Sequence, residues 1–136
     1  MISAFLSFLF LFTTAGAAQP VSSVKDAALD QEFEIKVGQQ VMIKHEGLKI
    51  SFSYVAEDSR CPEGVTCVWA GNAKVVLRVS KARRRSATMR LNTNLDPKQD
   101  AYGGYDVKLV GLSPHPKKNV PIRKKNYVAT LIVSRK

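Results

Sequence analysis

Two cysteines, Cys61 and Cys67, have the clearest potential for chemistry, and both lie in the stretch EDSRCPEGVTCVWAGNA at positions 57–73. Two nearby thiols can join as a disulfide, or one of them can act as a nucleophile beside a histidine. Pro62 and Gly64 favour a tight turn that brings the two sulfurs together. The spacing C-x5-C is not the redox motif C-x-x-C. We therefore predict a structural disulfide that closes a short loop and stabilises the fold by about 2–2.5 kcal/mol.

The remaining residues give little indication of catalysis. Both histidines, His45 and His115, fall in expected turns or loops, and neither they nor Met42 and Met89 have the spacing of metal ligands. The sequence contains no G-x-S-x-G elbow, paired-histidine motif or phosphate-binding glycine loop. We expect a protein that is not an enzyme and that uses no metal and no cofactor. A hydrolase or redox enzyme built on one of the cysteines is the weaker alternative.

Four more residues of this stretch are candidates for binding or for structuring the loop: Asp58 and Arg60 before the cysteines, and Trp69 and Asn72 after them. Asp58 and Arg60 are close enough to pair with each other or with loop amides, and we interpret them as loop-structuring residues. A lone tryptophan beside a disulfide is most simply a core residue that packs near the bridge. We therefore expect Trp69 to be buried.

The elements that position these residues have the period of β-strands. From Phe33 onward, apolar side chains alternate with polar ones, as they do in half-buried strands. About seven strands and no convincing amphipathic helix predict an all-β, antiparallel, immunoglobulin-like sandwich, with a small β-barrel as the alternative. The expected strands cover 33–37, 41–43, 48–54, 75–79, 87–91, 105–109 and 126–133, with turns at 45–47 and 81–86, an irregular stretch at 92–104 and a proline-rich loop at 113–125.

The amino-terminal region predicts export. Residues 1–18 carry no charged side chain, and the apolar run from Ile2 to Phe12 is followed by small residues, which is typical of a signal peptide. The run is shorter than the ~20 residues that a spanning helix needs. Residues 19–32 are polar and are expected to form a flexible lead-in to a single β-sandwich domain at 33–136. Export also favours the disulfide, since exported proteins meet an oxidising environment.

The formal net charge of +10 is unevenly distributed. Residues 19–63 contain eight acidic and five basic side chains, whereas residues 64–136 contain three acidic and sixteen basic ones. Such a surface attracts anionic partners, although charged residues also simply solvate a surface. The basic loops lack interleaved aromatic residues, so nucleic acid is not the expected partner. The candidate patch for an anionic partner comprises Arg83, Arg84, Arg85, Lys117, Lys118, Arg123, Lys124 and Lys125.

The pattern D-S-R-C-P-x-x-V-x-C-x-W-A-G, from Asp58 to Gly71, resembles a signature of small exported or lipid-anchored bacterial β-domain proteins. The segments from Phe33 to Val41 and from Tyr127 to Val133 are similar to the opening and closing strands of those proteins. The resemblance covers most of the chain after the leader, and it implies a fold and an exported location but no activity. The leader has no cysteine near its end, so the lipid anchor of some relatives is not expected here.

Together these features predict a periplasmic or secreted, non-catalytic binding module of unknown ligand. Its cysteine loop and the stretch 92–104 are the natural contacts for a protein or a glycan. The alternative is a basic envelope-associated protein that binds anionic polysaccharide or lipid headgroups. A protease inhibitor is a weaker version of the binding module. The partner is then an unknown protein or an anionic envelope polymer, with no transmembrane span after signal cleavage, and the sequence indicates no oligomeric state.

Overall fold

The computed structural model describes residues 11, 15–18 and 24–136. The predicted signal peptide therefore lies largely outside the described residues, as do positions 19–23 of the predicted lead-in. In the described part, a single 3-10 turn covers Lys124–Asn126, and no helix there is long and apolar enough to cross a membrane. The strands are β1 (Lys25–Ala27), β2 (Phe33–Lys36), β3 (Gln40–Ile43), β4 (Leu48–Asp58), β5 (Ala73–Lys81), β6 (Ala87–Asn92), β7 (Gln99–Tyr102), β8 (Tyr105–Ser113) and β9 (Val128–Arg135).

The strands form two sheets, in the orders β1-β3-β4-β5-β6 and β2-β9-β8-β7. The predicted all-β sandwich with one disulfide is confirmed, and the alternative of a closed barrel is wrong, because two separate sheets are present. Most neighbours in each sheet are also consecutive in the chain.

The core lies between the sheets, where the period-two alternation places one face of every long strand. This face carries β-branched and long aliphatic side chains, which fit a pleated and buried surface. Burial of each such side chain contributes about 1.5–3 kcal/mol relative to exposure. The largest fully buried side chains are Phe52, Ile35, Ile43, Leu48, Ile50, Leu77, Met89, Leu91, Leu131, Val41, Val75 and Val76.

Strand β4 changes its alternation twice, at register shifts between Phe52 and Tyr54 and between Val55 and Glu57. A bulge turns the side chains that follow it to the opposite face. The first shift leaves Tyr54 48% exposed, although strict alternation predicts that it faces the core. The second shift restores the original alternation, so Asp58 faces inward while Glu57 stays exposed. The two shifts together therefore determine where the Asp58 carboxylate lies.

Two short strands lie where the sequence predicts none, which raises the number from about seven to nine. Strand β1 falls within the predicted flexible lead-in 19–32, and it pairs in parallel with β3 and buries Ala27. The strand pairing is thus not purely antiparallel, and the folded domain begins before Phe33. Strand β7 falls within the predicted irregular stretch 92–104 and forms a hairpin with β8. The segments KDA and QDAY do not alternate apolar with polar residues, so only tertiary pairing defines these strands.

Candidate functional site at the cysteine end

Two loops meet at one end of the sandwich, which we call the cysteine end. The cysteine loop (residues 59–72) connects β4 to β5, and the proline loop (residues 114–127) connects β8 to β9. A parallel β-bridge joins Glu63 to Lys117, and the Glu63 amide donates to the Pro116 carbonyl at 2.9 Å. The Lys118 amide donates to the Glu63 carbonyl at 3.1 Å. The two loops are therefore hydrogen-bonded into one surface.

The predicted disulfide joins Cys61 to Cys67, whose Cα atoms are 5.9 Å apart. Backbone bonds close the base of the loop, with the Cys61 amide donating to the Ala70 carbonyl at 3.0 Å. The ring nitrogen Nε2 of His115 lies 2.8 Å from the Cys61 carbonyl oxygen. Both sulfurs are engaged in the bridge, so neither is available as a thiolate nucleophile in this form.

Asp58 and Arg60 form a nearly buried ion pair, with side chains that are 12% and 6% exposed. The guanidinium Nε and Nη2 atoms donate to the two carboxylate oxygens, each at 2.8 Å. Its remaining donors reach across to the other sheet, to the carbonyl oxygens of Leu112 at 2.6 Å and Pro114 at 3.0 Å. Bidentate arginine pairs of this kind fix geometry as well as charge. The pair therefore clamps the cysteine loop to the end of β8.

Tyr127 is a third member of this cluster, and its hydroxyl donates to Asp58 Oδ2 at 2.8 Å. Burial of the phenol raises the pKa of Tyr127 to about 12, and the hydrogen bond to the Asp58 carboxylate adds to the effect. Burial would also raise the pKa of Asp58, but the hydrogen bonds from Arg60 and Tyr127 together lower it below its ordinary value. The sequence marks Tyr127 only as part of a closing strand, and nothing local indicates its partner.

Asn72 is buried and organises the turn after β6. Its Nδ2 donates to Asn92 Oδ1 at 2.9 Å, and its Oδ1 accepts from the amides of Asn94 at 3.0 Å and Leu95 at 3.2 Å. The preceding Gly71 has a φ of +73°, and a Cβ there would lie 1.8 Å from the Ser59 carbonyl oxygen. These contacts give Asn72 a loop-structuring position, with its side-chain atoms turned away from solvent.

Trp69 lies on the surface, so the expectation that it packs in the core near the disulfide is wrong. It is 82% exposed, and its neighbour Val68 is 91% exposed. The physical reason is that strand residues already fill the space between the sheets, while the disulfide lies in a loop outside them. Val68 has no signal in the sequence other than its position next to Trp69.

The basic residues divide between the two ends of the molecule. Lys117, Lys118, Arg123, Lys124 and Lys125 belong to the proline loop at the cysteine end. Arg83, Arg84 and Arg85 lie in the β5–β6 turn at the opposite end, which we call the arginine end. Strand β5 spans the distance between the ends, about 26 Å for its nine residues. The eight predicted residues therefore do not form one patch.

The arginine end is tied together by hydrogen bonds of its own. The Tyr102 hydroxyl donates to the Arg85 carbonyl at 2.7 Å. The Glu46 carboxylate accepts from the Tyr105 hydroxyl at 2.5 Å and from the Arg135 guanidinium. The hydrogen bond from Tyr105 is the main reason that the pKa of Glu46 is lowered. Glu46 thus partly offsets the positive charge at this end.

In the part of the chain that the structure describes, no three histidine, cysteine or acidic residues are grouped so that they could bind a metal ion. The side chains of Asp58, Arg60 and Tyr127 are hydrogen-bonded to one another, while Val68 and Trp69 face solvent. No family model, no curated protein and no solved structure matches this chain. The resemblance of the D-S-R-C-P stretch to exported bacterial proteins therefore stays a prediction.

Proposed function

We propose that the protein is an exported, non-catalytic binding module whose contact surface is the cysteine end. The observation that carries this proposal is the exposure of Trp69 and Val68, at 82% and 91%, on a loop that is closed by a disulfide. Exposed tryptophans are rare in soluble domains and frequent among the residues that dominate binding energy. A loop closed by a disulfide also loses less conformational entropy on binding than an open loop, which favours affinity.

Several contacts support a binding role over catalysis. Both sulfurs are bonded to each other, and His115 lies against a backbone carbonyl rather than beside a nucleophile. The carboxylate of Asp58 is held by Arg60 and Tyr127. An exported location is consistent with the disulfide, since such bridges persist in oxidising compartments.

A second candidate function is electrostatic association with an anionic envelope polysaccharide. It is favoured by the five cationic side chains of the proline loop, none of which has a carboxylate within 4.0 Å among the described residues. Exposed charge pairs are screened by salt, so this mode predicts binding that falls steeply as ionic strength rises. Binding dominated by Trp69 and Val68 is much less sensitive to salt.

Co-sedimentation with the envelope fraction of the producing cells tests the proposal. Trp69→Ala should weaken binding at least tenfold, because truncation of a dominant aromatic contact typically costs more than 2 kcal/mol. The matched control is Tyr54→Ala, which removes another exposed aromatic side chain on the open face of β4. We expect the control to bind like the unmodified protein. Equal binding by the Trp69→Ala protein and the unmodified protein would falsify the proposed contact surface.

A further inference from the structure

The exposed apolar residues of the cysteine end lie on both of its loops. Val65, Val68 and Trp69 belong to the cysteine loop, and Val120 belongs to the proline loop. All four are at least 40% exposed. A group of exposed apolar side chains on a soluble domain marks an interaction site.

Cationic side chains lie at the same end of the molecule as these apolar residues. Lys117 and Lys118 are joined to the cysteine loop through the backbone of Glu63. Glu63 is the only acidic residue in the two loops, against five lysines and arginines of the proline loop. The local charge is therefore strongly positive, and it adjoins the apolar residues.

A groove in the proline loop combines the same two properties. It has a volume of about 300 Å³, and its lining includes the cations Lys117 and Arg123 together with Val120, Pro121 and Ile122. Cations beside aliphatic side chains suit a ligand that is anionic at one end and apolar at the other. A lipid headgroup with the upper part of its acyl chains has that chemistry.

We propose that the cysteine end binds the surface of an anionic phospholipid bilayer, with Val68 and Trp69 entering the interface and the lysines contacting headgroup phosphates. This inference rests on the contact surface proposed above and names its partner. Tryptophan prefers the boundary between headgroups and acyl chains. Each lysine or arginine near an anionic surface adds to the attraction. A polysaccharide would satisfy the cations and stack on Trp69, but it would leave the exposed valines Val65, Val68 and Val120 without a role.

The test uses vesicles of phosphatidylglycerol and phosphatidylcholine, compared with vesicles of phosphatidylcholine alone. Trp69 is the only tryptophan, so its fluorescence reports directly on the loop. We expect a blue shift and quenching by bromine-labelled acyl chains with the anionic vesicles only. Absence of a shift at protein and lipid concentrations that give full co-sedimentation would overturn the insertion of Trp69.

Charge variants separate the two ends of the molecule. The double change Lys117→Gln and Lys118→Gln should weaken co-sedimentation with anionic vesicles about tenfold or more, from the contribution of two cations near the surface. The matched control, Arg83→Gln with Arg84→Gln, removes the same charge at the arginine end and should change binding less than twofold. Equal losses from both pairs would overturn the proposed orientation.

Failure of the membrane proposal can be told from failure of the contact surface itself. If the protein ignores vesicles but still binds the envelope fraction through Trp69, and protease treatment of that fraction abolishes binding, the partner is a protein. That result overturns the proposal that the partner is a bilayer, and the proposed function is unaffected. If Trp69→Ala alters binding neither to vesicles nor to the envelope fraction, both proposals fail. Unchanged thermal unfolding of each variant confirms that the fold is intact.

Discussion

At the scale of single residues, Asp58 connects three separate parts of the chain. Its carboxylate accepts from Arg60 in the cysteine loop and from Tyr127 at the end of the proline loop. Arg60 in turn donates to the carbonyl of Leu112 in β8. A buried ion pair is not in itself strong evidence of stability, because the desolvation of both charges opposes their attraction. Removal of one partner is nevertheless costly, since it leaves the other charge buried and unpaired.

Replacement of Asp58 by alanine should therefore destabilise the fold by about 3 kcal/mol, the usual cost of breaking a buried pair. Urea unfolding followed by circular dichroism measures the change. Glu57→Ala is the matched control, because Glu57 is the preceding residue and only approaches Lys74 at 3.8 Å on the surface. Exposed pairs contribute about 0–1 kcal/mol. Similar losses from the two substitutions would show that the Asp58 cluster is not a clamp.

Tyr127 contributes stability to the fold that is lost at alkaline pH. The folded pKa of about 12 lies above the ordinary value of 10.0, so this stability is fully present below pH 10 and is lost as pH rises towards 12. Asp58 has a lowered pKa, so its contribution is present above the ordinary aspartate pKa and is lost as pH falls through the folded value. Tyr127→Phe should remove part of the alkaline loss. Parallel urea midpoints for both proteins between pH 10 and 12 would argue against this linkage.

At the scale of elements, the cysteine loop keeps its shape through one covalent bond and a close backbone approach. The disulfide fixes the first half of the loop, and Gly71 allows the second half to pass directly over Ser59. Asn72 then joins the loop to the turn after β6. The loop can therefore present Trp69 without packing it against the core.

Gly71→Ala should be severely destabilising, because the new Cβ would overlap the Ser59 carbonyl oxygen in addition to the strain at positive φ. Gly104→Ala provides a control for the strain alone, since Gly104 also has positive φ but has open space around it. The control should lose about 1–2 kcal/mol. We expect Gly71→Ala to lose clearly more, measured by thermal and urea unfolding. A smaller loss at Gly71 than at Gly104 would mean that the loop does not approach Ser59 so closely.

Replacement of both cysteines by serine should lower stability by about 2–2.5 kcal/mol, the loop-closure contribution for a ring of this size. The sandwich core contains neither cysteine, so the far-ultraviolet circular dichroism should keep its β-sheet character. We expect binding to the envelope fraction to weaken as well, because Trp69 loses its fixed position. A double-serine protein that is unfolded under native conditions would show that the bridge supports the core and not only the loop.

The sequence predicts well those elements whose period is long enough to read. Alternation correctly places the inward residues of β8 and β9 and those at the start of β4. It fails at Tyr54, because a bulge has no signature in this sequence. It also fails at β1 and β7, because the segments KDA and QDAY do not alternate apolar with polar residues. The Asp58–Arg60 pair is predictable from proximity, whereas Tyr127 joins it only through the fold. The predicted burial of Trp69 is wrong because nearness to a cysteine does not reveal whether a loop folds onto the core.

At the scale of the whole molecule, the sandwich separates two basic ends. The sequence shows an excess of positive charge after residue 63 but cannot show that strand β5 carries one cluster away from the other. Only the cysteine end combines unpaired cations with exposed apolar side chains, among the residues described. The arginine end has Glu46 and Tyr105 among its cations instead. This asymmetry predicts that the protein binds in one orientation, with the arginine end facing away from its partner.

The fluorescence of Trp69 tests the central claim most directly, because the chain has one tryptophan. In the free protein, the emission should be that of a hydrated indole and should be readily quenched by acrylamide. On binding to the envelope fraction, the emission should shift to the blue and become protected from acrylamide. An indole that is already protected in the free protein, or one that stays fully accessible when the protein is bound, would contradict a contact surface built on the cysteine loop.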